Sequence, residues 1–516
     1  MSDIPAAVPR PAVDPSRAPA VPAPREAPLE LDPETFRSLG HDLVDRIARY
    51  LGGLRDGPVT GGETPDEIRE LLGAAAALPE EGADPAQLLS STADLLMGAS
   101  LHNGHPRFLG YITSSAAPVG MLGDLLASAV NPNVGAWKLS PMASEIEGQA
   151  IRWISELVGF GGGGGLLLSG GNMANMAAFW AARVRATGQG IRAAGAAATE
   201  TRLRVYASAE THTWLHKAAD LSGVGTDAIR WIPTLSDFTM DLDALRDVLE
   251  RDVAAGDTPL MVVATAGSVS TGAVDDIPGL AAICRERGIW LHVDGAYGAP
   301  AAVLPDAPEP LRHLALADSL ALDPHKWLYA PLEAGCLLVR DPATLRDAFS
   351  YHPPYYHFGV EATNYVDLGP QNSRGFRALK VWLALRQVGR AGYRRMIGDD
   401  VRLARILHRE AEAHPELETY TCQLSISTFR YVPAELRGSV GEPETEEYLE
   451  RLNRTVQQRM ETEGEAFLSN AVLGGRYVLR GCIVNFRTDR WDVEAIPKIV
   501  ARVGREVHRE LSAPGA

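Results

Sequence analysis

The segment Leu322–Trp327 contains the residue whose surroundings point most directly to a chemical role, Lys326. This lysine follows a short apolar stretch, and proline, histidine and tryptophan flank it, so its ammonium group would be partly removed from water. Desolvation favours the neutral amine, which is the form that condenses with a carbonyl group to give a Schiff base. A lysine considered alone is far more often a surface charge, so this interpretation depends on the residues that accompany it.

A second segment, Ile289–Tyr297, is typical of a buried strand that ends in a carboxylate, Asp294. An acid at the C-terminal end of a parallel strand lies where open α/β sheets bind their ligands. A buried carboxylate needs a cationic partner, and the protonated nitrogen of a pyridine ring would serve. The plainer alternative is that Asp294 caps the N-terminus of the next helix.

Small residues dominate the segment Leu168–Asn175, which follows a predicted strand and opens a predicted helix. They would let the backbone amides at the start of the helix approach a phosphate group, where the helix dipole also favours negative charge. The chain contains no Gly-Lys pair, so a P-loop is not supported. Taken alone, a turn of small residues is weak evidence for a phosphate site.

The pair His212 and His216 has the i, i+4 spacing of a zinc-binding helix. Thr213 stands where such a helix carries its general-base glutamate, and no third ligand is evident, so we predict no metal site. His212 follows a predicted strand, and its ring would instead be able to lie flat on an aromatic cofactor. The alternative is an ordinary surface histidine.

The elements that must position these residues alternate between short apolar runs and helical segments. Such an alternation predicts βαβ units and a mostly parallel sheet. The predicted strands are Leu166–Leu168, Val205–Ala207, Met261–Thr265, Ile289–Val293, Ser319–Leu322 and Cys336–Val339.

Helices dominate the chain before this region, and a mixed pattern follows it. Apolar side chains recur at helical spacing over Phe36–Leu51, with Asp32 as the predicted cap and Pro33 just inside the helix. The other predicted elements are a helix over Pro141–Leu157, a helix over Tyr393–Ala413, strands over Gln423–Tyr431 and Tyr477–Arg487, and a last helix.

The overall composition limits the classes of partner. The 516 residues include 49 Lys and Arg against 65 Asp and Glu, a formal charge of −16, which argues against nucleic acid or an anionic membrane. No apolar run approaches the roughly 20 residues that span a bilayer. The four cysteines lack CxxC spacing, so we predict reduced thiols in a cytoplasmic protein. Eight prolines in the first 28 residues predict a disordered tail.

In their order along the chain, these segments resemble the group II pyridoxal-phosphate (PLP) decarboxylases, the family of aromatic-L-amino-acid, glutamate and related decarboxylases. The resemblance extends from about residue 31 to the C-terminus, and the ordered set is far more specific than any single motif. The matching segments are His105–Tyr111, Ser140–Glu147, Ser169–Arg183, Ser208–His212, Ala264–Gly272, His292–Tyr297, Pro324–Trp327 and Arg374–Lys380.

This resemblance implies a role for each residue singled out above. Lys326 would bind PLP covalently, and Asp294 would keep the pyridine nitrogen protonated, so that the ring accepts electrons when CO₂ leaves. His212 would stack on one face of the ring and Ala296 would contact the other. Lys326, Asp294 and His212 are thus predicted to be catalytic. The phosphate would be bound by the backbone amides of Gly171 and Asn172, helped by the neighbouring Asp323 and His325.

A further residue must deliver a proton to Cα after CO₂ departs. In the aromatic decarboxylases a tyrosine on a mobile loop has this role, and ungapped alignment puts Tyr355 at its position. His352 replaces the usual aspartate, and Tyr356 is the alternative donor. The segment Tyr351–Gly369 has the length and composition of a loop that gates an active site. We therefore predict that Tyr355 is catalytic as well.

The fold implied by the resemblance is that of the PLP-dependent transferases of fold type I, an α/β fold with a mainly parallel, seven-stranded sheet. The predicted parts are a tail over 1–30, an N-terminal helical segment over 31–110, a large PLP-binding α/β domain over 111–389 and a small C-terminal α+β domain over 390–516. The same resemblance implies a homodimer with active sites at the interface.

The expected reaction is decarboxylation of an L-amino acid to its amine. No cluster of Arg or Lys stands out in the pocket segments, and Trp137 and Phe108 suggest an apolar lining, so we expect an aromatic substrate rather than Glu or Asp. Gly135 stands where animal aromatic decarboxylases have a pocket Phe, which leaves aliphatic substrates open. Val269 replaces a residue that carries a hydroxyl group in many relatives.

Three alternative functions remain. The first is a decarboxylating aldehyde synthase, which usually has Phe in place of the loop tyrosine, so Tyr355 argues against it. The second is a fold type I aminotransferase, against which the His325-Lys326-Trp327 run argues. The third is a non-catalytic binding paralogue, and the joint presence of Lys326, Asp294 and His212 argues against that.

Overall fold

The computed structural model of the protein describes residues 27–351 and 362–513. The helices are α1 (Pro33–Gly53), α2 (Pro65–Leu72), α3 (Pro85–Gly98), α4 (Pro118–Val130), α5 (Pro141–Val158), α6 (Gly171–Thr187), α7 (Gly190–Ala194), α8 (Trp214–Leu221), α9 (Leu242–Ala254), α10 (Ile277–Arg287), α11 (Ala343–Phe349), α12 (Ala378–Glu412), α13 (Pro443–Glu463) and α14 (Arg490–Leu511). The strands are β1 (Phe108–Leu109), β2 (Gly164–Leu168), β3 (Leu203–Ser208), β4 (Ile229–Ile232), β5 (Thr258–Thr265), β6 (Trp290–Asp294), β7 (Ser319–Leu322), β8 (Gly335–Val339), β9 (Leu417–Gln423), β10 (Ile426–Tyr431), β11 (Phe467–Leu473) and β12 (Arg476–Cys482).

Helix α1 begins where the sequence predicts. The Asp32 carboxylate accepts hydrogen bonds from the backbone amides of Glu34 and Thr35, both at 3.0 Å, and Pro33 occupies the first turn. This cap satisfies two of the amides that a helix start leaves without a carbonyl partner. No residue of α1 is buried in the described chain, and Phe36 is 60% exposed.

The larger sheet has seven strands in the order β2-β8-β7-β6-β5-β3-β4. Strands β4, β3, β5, β6 and β7 are parallel, whereas β8 runs antiparallel to both β7 and β2. The prediction of a mainly parallel, seven-stranded sheet is therefore confirmed. The sequence pattern missed β4, because this edge strand has only four residues, in which Ile229 and Ile232 are buried, Arg230 is partly buried and Trp231 is exposed.

One apolar core surrounds this sheet. Strands β3, β5, β6 and β7 are buried along their whole length or nearly so, which explains why they appear in the sequence as continuous apolar runs. Helices α6, α9 and α10 pack against the sheet strands. Because parallel strands share one direction, Ser208, Thr265, Asp294 and Leu322 come to the same edge of the sheet. Ligands bind at this edge in α/β sheets.

The smaller sheet has the order β1-β11-β12-β10-β9 and is antiparallel except for β1. The predicted strand Gln423–Tyr431 is wrong in its extent, because a turn at Leu424 and Ser425 separates β9 from β10. The predicted strand Tyr477–Arg487 ends at Cys482, and β11 was missed.

The predicted helix Tyr393–Ala413 is the second part of α12. This helix has a break at Gly389, where φ is 62° and ψ is 169°, and it continues to Glu412. The left-handed φ suits glycine, which has no Cβ to clash with the backbone. Helix α12 crosses the predicted boundary between residues 389 and 390. Strand β1, in the predicted N-terminal segment, pairs with β11, in the predicted C-terminal domain. The domain boundaries given above therefore stay a prediction.

Two further features concern membrane crossing and cysteine pairing. Within residues 27–351 and 362–513, no helix combines the length and the apolar character needed to cross a bilayer. All four cysteines, which lie in those ranges, are free thiols, and burial raises the pKa of Cys284 to about 12.

Candidate active site

A cavity opens at the C-terminal edge of the larger sheet, against the start of α6. It contains seven of the predicted site residues: Gly171, Asn172, His212, Asp294, Ala296, Asp323 and Lys326. The remaining lining residues are Ile112, Asn175, Glu210, Thr265, Gly267, Val269 and Tyr297. Segments far apart in the sequence therefore converge on one site, as expected where the ends of parallel strands meet.

Lys326 lies in the turn that follows β7. Its Nζ is 3.0 Å from Asp323 Oδ2, and the Asp323 side chain is almost fully buried. The other carboxylate oxygen of Asp323 is buried and has no hydrogen-bond partner in the described part of the chain. A buried acceptor left unpaired is costly, so this oxygen marks hydrogen-bonding capacity that a ligand can use.

His325 is placed beside the same carboxylate. Its Nε2 is 3.8 Å from Asp323 Oδ2, and its Nδ1 is 2.7 Å from the carbonyl oxygen of Ala334. The backbone N–H of Ala334 also donates to Nδ1 at 3.2 Å, so the backbone of Ala334 fixes the orientation of the ring. Burial lowers the pKa of His325, although the Asp323 carboxylate acts against this shift. His325 does not line the cavity directly but lies behind it, next to Gly170.

Asp294 is the last residue of β6, and only 7% of its surface is exposed. The indole N–H of Trp214 donates to Oδ2 at 2.7 Å, and the backbone N–H of Ala296 donates to Oδ1 at 3.2 Å. The next helical segment begins only at Ala299, so Asp294 does not cap a helix. A carboxylate held this way has a fixed position from which to face a cationic group in the cavity.

His212 follows β3 and borders the cavity with an exposed ring. The backbone N–H of Trp214 donates to its Nδ1 at 3.2 Å, which fixes the ring orientation. Partial burial lowers the pKa of His212, although Asp294 counteracts this shift. His216, its partner in the i, i+4 pair, instead packs on Trp231 with 5.0 Å between ring centroids.

Helix α6 presents its N-terminus to the cavity. The amides of Met173 and Ala174 bond to the Gly170 carbonyl, whereas those of Gly171 and Asn172 have no acceptor among the described residues. A Cβ atom on Gly171 would lie 2.5 Å from Asp323 Oδ2, so no larger residue fits there without a shift. Two free amides at a positive helix end form an anion-binding position.

Several cavity residues escaped the sequence analysis. Asn175 lies one turn after Gly171 on the same helix face, and the i, i+4 spacing is the signal that reveals it. Thr265 is the strand neighbour of Asp294 in the parallel register, so its position at the end of β5 was a usable signal. Glu210 stands two residues before His212, and burial raises the pKa of its carboxyl group.

Three residues that the sequence analysis linked to the substrate pocket are not among the residues that line this cavity. Phe108 packs in a separate cluster with Val59 and Phe467, away from the cavity. Trp137 donates its indole N–H to Glu145 and does not line the cavity either. Gly135 lies against the backbone, because a Cβ there would be 2.3 Å from the Asn372 carbonyl oxygen. Tertiary packing that local alignment does not reveal places these three residues.

The predicted proton donor Tyr355 and its neighbours His352 and Tyr356 lie outside the described residues. The last described residue before them is Tyr351, whose ring lies under the guanidinium of Arg192 at 4.1 Å from the ring centroid. The proton-donor assignment therefore stays a prediction from the sequence.

Comparison with known proteins gives a consistent result. Residues 65–431 match the family model described as the pyridoxal-dependent decarboxylase conserved domain. The aromatic-L-amino-acid decarboxylase of Bacillus atrophaeus is 33% identical over 485 residues, which cover 93% of this chain and 97% of that protein. A phenylacetaldehyde synthase from a Rosa hybrid cultivar is 30% identical over 463 residues, 87% of this chain and 90% of that protein.

A solved structure extends the likeness to three dimensions. The Oryza sativa TDC crystallised with PLP and tryptamine has a TM-score of 0.84 at 29% identity, over 93% of this chain and 99% of that chain. The family match covers well over half of the sequence. The chain therefore belongs to the pyridoxal-dependent decarboxylases and is a PLP-dependent amino-acid decarboxylase.

Proposed function

We propose that the substrate is an uncharged, aromatic L-amino acid, which the protein converts to its amine and CO₂. The observation that carries this proposal is the charge of the cavity. Three acidic side chains line it, Glu210, Asp294 and Asp323, whereas Lys326 is the single basic lysine or arginine among its described lining residues. A second carboxylate on the substrate would therefore meet like charges, which is unfavourable where water is partly excluded.

The residues of the cavity fit PLP. The free amides of Gly171 and Asn172 suit its phosphate, and Gly171 leaves the space that a Cβ would fill. The unpaired oxygen of Asp323 would lie beside that phosphate, and two anions that face each other repel. We therefore propose that a hydrogen-bond donor, Lys326 or His325, stays close to the Asp323 carboxylate.

We assign the remaining roles as follows. Lys326 would hold the cofactor covalently, and Asp294 would face its ring nitrogen, held there by Trp214 and the amide of Ala296. When bound, PLP supplies a protonated ring that withdraws the electrons released by the departing CO₂. His212 would stack on that ring and cover one of its faces, which limits the access of water there.

Similarity to named proteins also supports an aromatic substrate. The Bacillus atrophaeus protein is named for aromatic L-amino acids, and the Oryza sativa structure contains tryptamine, an aromatic amine. A different reaction outcome is supported by the Rosa protein, which is named an aldehyde synthase. Tyr355 favours amine over aldehyde, and it is the residue to test for that distinction.

The substrate proposal is tested by measuring amine formation from each of the twenty amino acids. We expect Trp, Tyr, Phe or dihydroxyphenylalanine, added to that panel, to give the highest kcat/KM. Glutamate or aspartate as the best substrate would refute the proposal, and valine as the best would select the aliphatic alternative. Glu210→Gln removes one negative charge from the cavity and should raise the activity on glutamate relative to that on an aromatic substrate.

We further propose that the protein forms a homodimer. Helix α4 buries only Gly120 and Gly123, whereas Leu122 is 57%, Leu126 54% and Val130 67% exposed in the described chain. An exposed apolar helix face of this kind is typical of an interface, and the resemblance to dimeric decarboxylases names a second copy as the occupant. Light scattering should give twice the chain mass, and Leu126→Glu should shift it toward the monomer.

A further inference from the structure

Two aromatic rings form a stack at the wall of the cavity, which Tyr297 lines. Tyr297 and Trp327 lie with ring centroids 4.8 Å apart and an interplanar angle of 15°, and both are buried. Tyr297 follows Ala296, and Trp327 follows Lys326, so each ring is bonded through the backbone to a residue that faces the cofactor site. A shift of this stack would therefore move Ala296 and Lys326.

One buried carboxylate anchors the Trp327 side of the stack. Asp400 Oδ2 accepts the indole N–H of Trp327 at 2.9 Å and the phenol O–H of Tyr329 at 2.6 Å. Asp400 is 2% exposed and belongs to the part of α12 that follows the break at Gly389. A single residue of the C-terminal half of the chain thus holds two side chains of the turn that carries Lys326.

A second anchor lies at the other end of the stack. The phenol oxygen of Tyr297 is 2.6 Å from Ser425 Oγ and accepts the backbone N–H of Ser425 at 3.0 Å. Ser425 lies in the turn between β9 and β10, in the smaller sheet. Elements of the C-terminal part therefore hold both rings by their polar ends.

We propose that Asp400 and Ser425 are positioning residues for PLP binding, which fix the Lys326 and Ala296 segments through the Trp327–Tyr297 stack. This inference rests on the proposed role of Lys326 as the PLP lysine. Neither residue lines the cavity, so each acts through the rings and not through contact with the cofactor.

The backbone of this turn shows why an anchor is needed. Tyr329 has φ of 57°, a left-handed conformation that is unfavourable for a residue other than glycine. The hydrogen bond from its phenol group to Asp400 opposes relaxation of the turn. Burial also raises the pKa of Asp400 to about 7, so the chain keeps a carboxyl group where an apolar side chain would be less costly.

The test uses Tyr329→Phe and Ser425→Ala, which each remove one hydrogen bond and little else, and Trp327→Phe, which removes one hydrogen bond and also shrinks the ring that stacks on Tyr297. The full-length apo protein is titrated with PLP, followed by the Schiff-base absorbance, and the rate of borohydride-trapped attachment at Lys326 is measured by mass spectrometry. We expect each variant to bind PLP about fivefold more weakly, the effect of one lost hydrogen bond.

Tyr206→Phe is a matched control. Tyr206 is equally buried, and its phenol group donates to the buried Asp252 at 3.0 Å, but it contacts neither the stack nor the Lys326 turn. It should lower the free energy of unfolding by about as much as Tyr329→Phe and leave PLP affinity unchanged. An equal loss of PLP affinity in this control would show a general stability effect and overturn the proposal.

Substitutions of Asp400 give the second measurement. Asp400→Asn keeps an oxygen that can accept both donors and should bind PLP nearly as wild type does, whereas Asp400→Leu should lose at least about tenfold in affinity. If Asp400→Leu does not fold, the PLP affinities of Tyr329→Phe and Trp327→Phe test the proposal. Wild-type affinity in both would refute the proposal, whereas covalent PLP in Lys326→Ala would instead refute the role of Lys326.

Discussion

The side chains of Lys326 and Asp323 form an ion pair of 3.0 Å on the wall of the cavity, three residues apart in one turn. Asp323 is buried, and its second oxygen has no partner in the described chain. If the Lys326 nitrogen engages PLP, Asp323 loses this cation and depends on His325, whose Nε2 is 3.8 Å away. The turn thus couples the lysine to the region where the cofactor phosphate would bind.

The first prediction concerns covalent attachment of the cofactor. Wild-type protein should show a Schiff-base absorbance that borohydride bleaches, and Lys326→Ala should lose both that absorbance and all decarboxylase activity, because no other lysine lines the described cavity. Lys498→Ala, an exposed position on α14, is the control and should behave as wild type. An active Lys326→Ala enzyme would contradict the assignment.

The second prediction concerns the carboxylate opposite the ring nitrogen. Asp294→Asn should lower kcat by several orders of magnitude, because an amide does not stabilise the protonated nitrogen, and each tenfold loss corresponds to about 1.4 kcal/mol of barrier. Trp214→Phe removes one hydrogen bond to Asp294 but keeps the carboxylate, so its loss should be about tenfold or less. Near-normal turnover of Asp294→Asn would mean that another residue contacts the nitrogen.

A third prediction addresses the phosphate position. Gly171→Ala should weaken PLP binding by at least tenfold, since its Cβ would lie 2.5 Å from Asp323 Oδ2 and displace the start of α6. Gly52→Ala is the matched control, because that helical glycine has no atom within 4 Å of the added Cβ. PLP affinity is measured by equilibrium titration of the apo protein. Unchanged affinity in Gly171→Ala would remove this helix start from the phosphate site.

The parts of the site that the sequence predicted are those whose signals are local. Lys326 and Asp294 each follow a continuous apolar run, so strand, strand end and functional residue are adjacent in the chain. Glu210 and Asp400 gave no comparable signal, because their contribution depends on contacts between segments far apart in sequence. Phe108 illustrates the same limit, since its cluster forms with Val59 and with Phe467 of the smaller sheet.

The sequence predicted best those strands that are buried on both faces of the sheet. Central strands of the larger sheet are buried and mostly apolar, whereas the edge strand β4 has only four residues, two of them buried. The turn between β9 and β10 contains an apolar leucine, Leu424, that hides the break. The order of motifs identified the family and, through it, seven residues that line the cavity, but it did not reveal the lining residues that lie outside those predictions, such as Glu210 and Asn175.

The fourth prediction concerns pH and His292, which is fully buried next to the cavity. Its Nε2 is 2.7 Å from Asn175 Oδ1 and its Nδ1 is 2.7 Å from Ser319 Oγ, and burial lowers the pKa of His292 from 6.5 to about 4. The unfolded chain therefore binds the proton first as pH falls. This contribution to stability is complete above pH 6.5 and is lost as pH falls toward 4, with a size on the order of 3 kcal/mol.

The variant His292→Gln isolates this contribution. Urea unfolding at about pH 7.5 should show it less stable than wild type, and the difference should shrink at about pH 5. Asp275 and Asp400, whose pKa values burial raises to about 6 and about 7, act in the opposite direction, but they are present in both proteins and cancel in the difference. A difference that stays constant with pH would show that His292 does not titrate in this window.

The last prediction links Tyr355 to the outcome of the reaction. Once CO₂ leaves, Cα must receive a proton to give the amine; if molecular oxygen and water react there instead, the products are aldehyde, ammonia and hydrogen peroxide. A phenol group close to Cα favours the amine by supplying a positioned proton. Tyr355→Phe should therefore keep PLP affinity, lower amine formation sharply and raise aldehyde and peroxide. Tyr356→Phe is the matched control, one residue away, and should retain amine formation. If Tyr356→Phe alone switches the products, the two tyrosines exchange roles, and if neither variant changes the amine yield, the proton comes from another group, with His212→Gln as the next variant to measure.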